Sequence, residues 1–503
     1  MQRTRQIIGS VLVFLSAFAF LYWSNGHRFV LMTDEAIYLQ GARRILAGEV
    51  PYSDFFVGTG PGSHWLNAAA LWIFGVTLSG SRILTLLDLS VLVTCVYWLV
   101  ARRGNIALGA FAAACCLVME LSDPQAVLPN HRWESTMLAT LGATILASEA
   151  GVAGTILAGA LLEFSAWVTP TMGVVSLALG AYIAWRDRAR LRPLLIGFTG
   201  TSAIAAAALA AQGALVPMIQ QMLWLGANYR SSNYTTYGSY MNGYGRLLNG
   251  ASGAEWIIAM VIATGIALPA ILPVLALPFV WKERLSSLAP AWIAAFALLL
   301  SAHPRYDVQH LLFGTPLFYA LAALSAAMMS HKFVKMAAFL ATVAITLTFF
   351  TYTLLRRSAD VPAQARIGSI RAAKADVTLL HDLEHNIPAG SRLFVFPYLP
   401  MAYFATLADN ATRFSYMQPG QMTESDEDAV IADLRAHPAD RVLFQDLTED
   451  QILLVWPSTD RARLHLRRIE QFLADRYQRI ETIPYPGGNF QVLTPKSPVT
   501  ASN

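Results

Sequence analysis

The sequence predicts a polytopic α-helical membrane protein with a soluble α/β domain at its C-terminal end, and three observations predict it. Of 503 residues, 55% are hydrophobic and only 14% charged, with a mean hydropathy of +0.45; soluble domains carry about 25% charged residues. Apolar runs of bilayer-crossing length recur between short polar loops as far as Leu355. From Arg356 onward the composition becomes that of a soluble domain, and about 150 residues suffice for one independent core. The chain therefore divides into residues 1–355 and 356–503. A net charge of +4 gives no reason to invoke nucleic acid, and the basic residues gather in short loops, as the positive-inside rule expects. Cys95, Cys115 and Cys116 all lie in apolar runs, which argues against a disulfide framework or a thiolate metal site.

Arg3 and Arg5 precede the first apolar run, Ile7 to Trp23, which lacks a small-residue cleavage site and is expected to be a retained span with a cytoplasmic N-terminus. A polar stretch follows, TDEAIYLQGARRILAGEVPYSDFFVGTGPG, from Thr33 to Gly62. Its segment from Glu35 to Ala47 reads as a helix along the membrane surface, with Ile37, Tyr38, Ala42, Ile45 and Leu46 on one face and Arg43 and Arg44 toward water or headgroups. Gly48 ends it, and the Pro51 to Gly62 region stays irregular. His64 to Val76 is too short for a span and reads as interfacial or re-entrant.

Ten further runs bring the count to about eleven spans: Ile83–Val100, Ile106–Leu121, Ser135–Ala147, Val152–Val168, Met172–Trp185, Leu194–Ala211, Trp256–Phe279, Leu288–Ala302, Leu311–Met329 and Met336–Leu355. Arg102 and Arg103, the cluster Arg186, Arg188, Arg190 and Arg192, and Lys282 with Arg284 mark cytoplasmic ends. The conspicuous polar loops then share the outer side: the Thr33 loop, Ser122 to Glu134, the tyrosine-rich Gly213 to Gly253, and His303 to His310. In the C-terminal region, Arg392 to Pro397, Arg441 to Gln445 and Phe490 to Leu493 read as strands. Met401 to Leu407, Glu424 to Ala436 and Asp460 to Tyr477 read as helices, an alternation that favours an α/β layer. No phosphate-binding glycine loop, nucleophile elbow or paired-histidine metal helix appears there.

Asp34 and Glu35 carry two readings. Acidic residues suit a helix N-terminus, so both fit as caps of the helix beginning at Ala36. Carboxylates held at a membrane face are also costly to desolvate, which suits a chemical role. Asp123 divides between a turn before Pro124 and a second functional carboxylate. Arg132 divides between pairing with Glu134 or Asp123 and binding a phosphate. Arg305 divides in the same way between neutralising Asp307 and binding a phosphate. The tyrosines of the long loop fit an interfacial belt or a stacking surface.

The first span followed by the loop Asp34-Glu35, the helix Ala36-Ile37-Tyr38-Leu39-Gln40-Gly41-Ala42, then Gly48-Glu49-Val50-Pro51-Tyr52-Ser53-Asp54-Phe55, resembles the GT-C superfamily of integral-membrane glycosyltransferases. Within it the chain is most similar to the bacterial group of protein O-mannosyltransferases and aminoarabinose transferases. The resemblance covers residues 1–355. It implies transfer of a sugar from a polyprenyl-phosphate donor to an acceptor on the outer face of the cytoplasmic (inner) membrane, with the C-terminal domain periplasmic. It also implies that Asp34 acts at the acceptor nucleophile as general base or positions it, supported by Glu35, with Asp123 as a second catalytic or metal-linked carboxylate.

Arg132, His131, His303, Arg305, Tyr52 and His64 are the candidates for binding substrate. A divalent cation, magnesium or manganese, is the one cofactor considered, on Asp34 and Glu35. Two rival readings are a glycan polymerase or O-antigen ligase, which would rely on outer-loop Arg and His, and a lipid or polysaccharide transporter, which would place its charges near the bilayer midplane. The expected partners are the lipid-linked sugar, an acceptor of unspecified class (lipid, glycan or protein) and the bilayer.

Overall fold

A computed structural model describes residues 2–31, 34–103, 105–121, 128–237, 254–485 and 488–496. Ten helices open the chain: α1 (Gln2–Asn25), α2 (Glu35–Leu46), α3 (Gly62–Phe74), α4 (Leu78–Ala101), α5 (Ile106–Met119), α6 (His131–Ala147), α7 (Val152–Val168), α8 (Gly173–Arg186), α9 (Arg188–Ala211) and α10 (Leu215–Asn228). The main helices after them are Ala254–Glu283, Ala289–Leu300, Pro316–Met328 and Lys332–Ala359. Among the described residues, five helices are long and apolar enough to cross a bilayer: α1, α4, α9, Ala254–Glu283 and Lys332–Ala359. Shorter apolar helices include α5, α7, Ala289–Leu300 and Pro316–Met328, so length and apolarity alone do not reach the expected eleven crossings.

The bundle is organised around α4, which packs against α1, α3, α5, α6 and Pro316–Met328. Its side chains, among them Leu86, Leu89, Leu92, Val96 and Val100, form much of the largest buried cluster. By contrast α1, α9 and Lys332–Ala359 leave large apolar side chains exposed, including Leu12, Ile204 and Phe339. Such outward faces suit contact with lipid chains. Glu163, a carboxyl within α7, accepts a hydrogen bond from Ser202 of α9 and so ties those two helices together.

The last long helix ends at Ala359 and strands begin at Val361. Strands β1 (Val361–Ala365) and β2 (Gly368–Ala372) form an antiparallel hairpin. The main sheet runs β4-β3-β5-β7-β6, with β3 (Arg392–Phe396), β4 (Asp409–Asn410), β5 (Arg441–Gln445), β6 (Tyr477–Ile483) and β7 (Phe490–Pro495). Strand β3 is parallel to β4 and β5, while β7 is antiparallel to β5 and β6. The three strands expected from sequence are present. The expected helix from Asp460 to Tyr477 is shorter: a 3-10 turn at Arg461–Arg463 precedes a helix at Arg467–Arg476, and Tyr477 already opens β6. The helix Glu424–Ala436 starts from a capping box made by Thr423 and Asp426.

Helix α2 departs from its expected setting. One buried cluster joins Ala36, Leu39 and Ala42 of α2 and Leu71 of α3 to Ile370, Leu379, Leu393, Tyr403 and Phe404 of the C-terminal region. Arg43 donates to the carbonyls of Tyr403 and Ala408, both at 3.0 Å, and Arg44 to that of Thr412 at 2.9 Å. The two arginines therefore satisfy orphan carbonyls of the sheet domain where sequence placed them toward water or headgroups. The cost of burying α2 against polar backbone is offset by these bonds. As a result, the first loop and the C-terminal domain share a core.

Candidate active site

Asp34 stands directly before α2 and is solvent-accessible. Its side chain makes no capping hydrogen bond to the helix it precedes. It accepts instead a hydrogen bond from the hydroxyl of Tyr398, two residues beyond the end of β3. Burial, and next the Asp34 carboxylate, hold the phenols of Tyr38 and Tyr398 well above the usual tyrosine range. Burial, then Tyr229 and Asp34, raise Tyr416 in the same direction. The Tyr398 ring lies 5.3 Å from Tyr416 and 5.3 Å from Trp456, so the sheet domain covers Asp34 with an aromatic wall.

The opposing wall carries the charge. Asn130 caps α6 through its side chain and so fixes where the helix begins. That start places His131 with its ring 5.4 Å from Tyr38. Next to it, Arg132 is 5% exposed and donates to Thr171 Oγ1 at 3.1 Å and to the Ser301 carbonyl at 3.0 Å. It forms no ion pair among the described residues, and its Nε is buried without a partner. Arg305 donates through Nε to Asp307 at 2.8 Å, and also reaches Asn233 at 3.1 Å and the Val455 carbonyl at 3.3 Å. Asp307 meets His310 Nδ1 at 2.8 Å as well. Tyr229, at the end of α10, links the walls: it lies within electrostatic reach of Arg305, Arg132, Asp34 and Asp307. One site thus gathers two carboxylates, two guanidiniums and several phenols around Tyr229.

Several sequence candidates have other places. Glu35 is sealed in an ion pair with Arg82 of α4 at 2.9 Å, both side chains fully buried. Arg82 also donates to the Arg28 carbonyl at 2.8 Å. Burial raises the Glu35 carboxyl and Arg82 lowers it, leaving it at about 7. Glu35 is thereby a cross-brace between α2 and α4, and its carboxylate is committed there. Asp34 and Glu35 consequently do not fit a divalent cation as a pair, because such ions want several oxygens around one point. Among the described residues no group of three His, Cys, Asp or Glu side chains gathers.

Tyr52 is buried with Phe55, Val57 and Leu209, and its hydroxyl donates to the Thr59 carbonyl at 2.7 Å. It shapes the loop and does not face the cleft. His303 is exposed beside Tyr306, and the nearby histidine that joins the cluster is His310. His64 is 1% exposed, with its ring 5.6 Å from that of Tyr38 and within electrostatic reach of His131. A Cβ on Gly41 would fall 2.2 Å from His64 Cδ2, so glycine is what lets α2 and α3 close at this point. Asp123 lies outside the described residues.

Sequence reasoning missed Tyr229, His310, Tyr398, Tyr416 and Trp456 as site residues. Two signals were available. Tyr398 directly follows a parallel strand, where α/β sheets place functional groups, and Asp307 with His310 has the spacing of one helical turn.

No known family model matches the chain, and no curated protein matches it in sequence. Solved structures do match its fold. ArnT from Cupriavidus metallidurans bound to undecaprenyl phosphate aligns with a TM-score of 0.58 at 12% identity, over 96% of this chain and 97% of that one. The oligosaccharyltransferase of Archaeoglobus fulgidus, tethered to an acceptor peptide containing the NVT sequon, aligns at 0.53 and 10% identity, over 97% of this chain and 74% of that one. Its form AglB, in complex with an inhibitory peptide and a dolichol-phosphate, aligns at 0.51 and 11% identity, over 98% and 75%. The chain shares its fold with these proteins over nearly its whole length, further than residues 1–355, which the resemblance covers.

Proposed function

We propose that the protein is a membrane glycosyltransferase that moves a sugar from a polyprenyl-phosphate donor to an acceptor hydroxyl at the outer face of the cytoplasmic membrane. The observation that carries this reading is opposite charge gathered at one site: accessible Asp34 and, within reach of the same Tyr229, Arg132, a buried guanidinium without an ion-pair partner among the described residues. The matching folds of proteins bound to undecaprenyl phosphate and dolichol-phosphate support a lipid-linked donor.

In this reading the acceptor O–H gives its proton to Asp34 as its oxygen attacks the anomeric carbon. The bond from that carbon to the phosphate oxygen breaks, and the electron pair leaves with the lipid phosphate. The growing negative charge is met by Arg132, whose donors are already oriented by Thr171 and Ser301. Arg305 stands beside it with part of its charge balanced by Asp307. Tyr398 fixes the Asp34 carboxylate, and Tyr416 and Trp456 hold the Tyr398 ring in place. The sheet domain is accordingly periplasmic, on the side where the cleft opens.

The test is sugar transfer or donor hydrolysis by purified protein in lipid with a panel of polyprenyl-phosphate sugars, wild type beside Asp34→Asn. Use of one donor by wild type, with loss of turnover and retained donor binding in the variant, supports the reading. Equal activity in the two proteins overturns it and favours the polymerase or ligase chemistry. A reporter that works only outside the cytoplasm, fused after Asn503, is expected to be active; silence from a well-expressed fusion contradicts the placement of the cleft.

A further inference from the structure

At the end of the helical bundle away from Asp34 lies a cavity of about 440 Å³, a size that suits a small ligand. Three helices connect it to the site around Arg132. Arg132 stands in the first turn of α6, and its partners Thr171 and Ser301 stand shortly before α8 and directly after Ala289–Leu300. Leu146, Arg186 and Pro290, at the other ends of the same helices, line the cavity. The 17 residues of α6 set the two places about 25 Å apart, close to the depth of a bilayer's hydrocarbon core.

Four charged side chains belong to the lining: Arg186, Arg190, Glu149 and Asp187. None of them is in an ion pair among the described residues. Arg190 is held in place by the Leu146 carbonyl and the Thr155 hydroxyl, each at 3.3 Å, and keeps donors to spare. The Tyr182 phenol, also in the lining, lies within electrostatic reach of Arg186, Arg190 and Asp187, so these charges gather around one point.

The cavity lies at the level of lipid headgroups. Trp185, beside Arg186, is 68% exposed, and Trp281, four residues before Leu285, is 78% exposed; tryptophans of this kind mark where a membrane meets water. Leu285 both lines the cavity and is exposed, which gives it an apolar edge for an acyl chain. Basic pockets between helices at this level bind lipid phosphates. Here the two carboxylates narrow the choice. An anionic headgroup would satisfy the guanidiniums and set its charge against Glu149 and Asp187. A phosphodiester that carries a primary ammonium satisfies all four groups. A quaternary ammonium cannot donate to the carboxylates, and Tyr182 is the one aromatic ring among the described lining residues, too few to cage it.

We infer that this cavity binds the headgroup of a phosphatidylethanolamine lipid, with the phosphate on Arg186 and Arg190 and the ammonium on Glu149 and Asp187. The site goes beyond the transferase reading and does not depend on it.

The experiment is native mass spectrometry of the full-length protein, purified free of phospholipid in an uncharged detergent and titrated with phosphatidylethanolamine, phosphatidylglycerol and phosphatidylcholine of matched chains. The ethanolamine lipid is expected to bind about tenfold more tightly than either other lipid. Arg186→Gln should weaken that binding about tenfold. Glu149→Gln combined with Asp187→Asn should remove the advantage and turn the preference to phosphatidylglycerol. These three side chains hold no bond among the described residues, so thermal unfolding, run as a control, should be unchanged. Equal binding of the three lipids to wild type overturns the site, as does a preference that survives both variants. Tighter binding of phosphatidylglycerol to wild type overturns it in favour of an anionic-lipid patch. Displacement of the lipid by an equal concentration of O-phosphoethanolamine overturns the lipid assignment in favour of a soluble ligand.

Discussion

The two walls of the cleft are built on opposite principles. The wall from the helical region is ionic: Asp34, Arg132, Arg305, Asp307 and His310 converge there from the first loop, α6 and the His303–His310 loop. The wall from the sheet domain is aromatic: Tyr398, Tyr416 and Trp456 face it with rings and hydroxyls. Charge therefore gathers on one wall, and the aromatic wall holds Asp34 in place through the Tyr398 hydroxyl. The difference teaches that chemistry and enclosure come from separate parts of the chain, and substitutions should separate them too.

The largest effect is expected at the ionic wall. Asp34→Asn keeps the size of the side chain and its bond to Tyr398 but removes its basicity. Transfer is expected to fall about 10²- to 10⁴-fold with donor binding intact, measured as turnover and as equilibrium binding on the same preparation. Arg132→Gln is expected to cost about 10²- to 10³-fold and, unlike Asp34→Asn, to weaken donor binding as well. A loss confined to binding would assign Arg132 to the ground state alone.

Glu35, one residue along, should behave in the opposite way. Its pair with Arg82 is fully buried, so Glu35→Gln strands a guanidinium and is expected to lower stability by about 3–5 kcal/mol in thermal unfolding. The double variant Glu35→Leu with Arg82→Met is expected to recover much of that loss. No recovery would mean that the brace works through the Arg82 bond to the Arg28 carbonyl.

This contrast shows what the sequence could and could not disclose. Composition and run length indicated a helical membrane region, and the switch after Arg356 indicated a sheet domain, because both follow from burial averaged over many residues. Glu35 was expected to support adjacent Asp34 because local spacing does not reveal which way a helix N-terminus turns each side chain. Arg82, some 50 residues away, decided it. Spacing gave no sign either that the Tyr52 hydroxyl donates to the Thr59 carbonyl within its own loop. The aromatic wall was illegible since Tyr398 and Trp456 become site residues only once the sheet domain docks on α2, through bonds from Arg43 and Arg44 to distant carbonyls.

A smaller effect is expected at the aromatic wall. Tyr398→Phe keeps the ring against Trp456 and deletes the hydrogen bond to Asp34. A bond to a charged group is worth about 1.5–3 kcal/mol, so a drop in turnover of about tenfold or somewhat more is expected. Turnover is measured beside donor binding on the same preparation, and a variant as active as wild type would reduce Tyr398 to packing alone.

The smallest effect lies at Asp307, behind Arg305. Burial alone would raise its carboxyl, yet His310 and Arg305 more than offset this and hold it well below the usual carboxylate range. The folded protein then binds fewer protons than the unfolded chain between the two pKa values. The stability that Asp307 contributes is full above the unfolded value, about 4, and is lost as pH falls through the depressed folded value. Asp307→Asn is expected to cost about 1–2 kcal/mol near neutral pH. The gap between variant and wild type in thermal unfolding should close as pH is lowered from about 5 toward about 2. His310 is itself held below its ordinary range by burial, with Asp307 pulling it back up, so in the variant it should lose its main reason to protonate. A gap that stays constant with pH would mean that Asp307 acts only through its hydrogen bond to the His310 backbone, which asparagine can still accept, and that the ionic wall is held together by Arg132 and Arg305 without it.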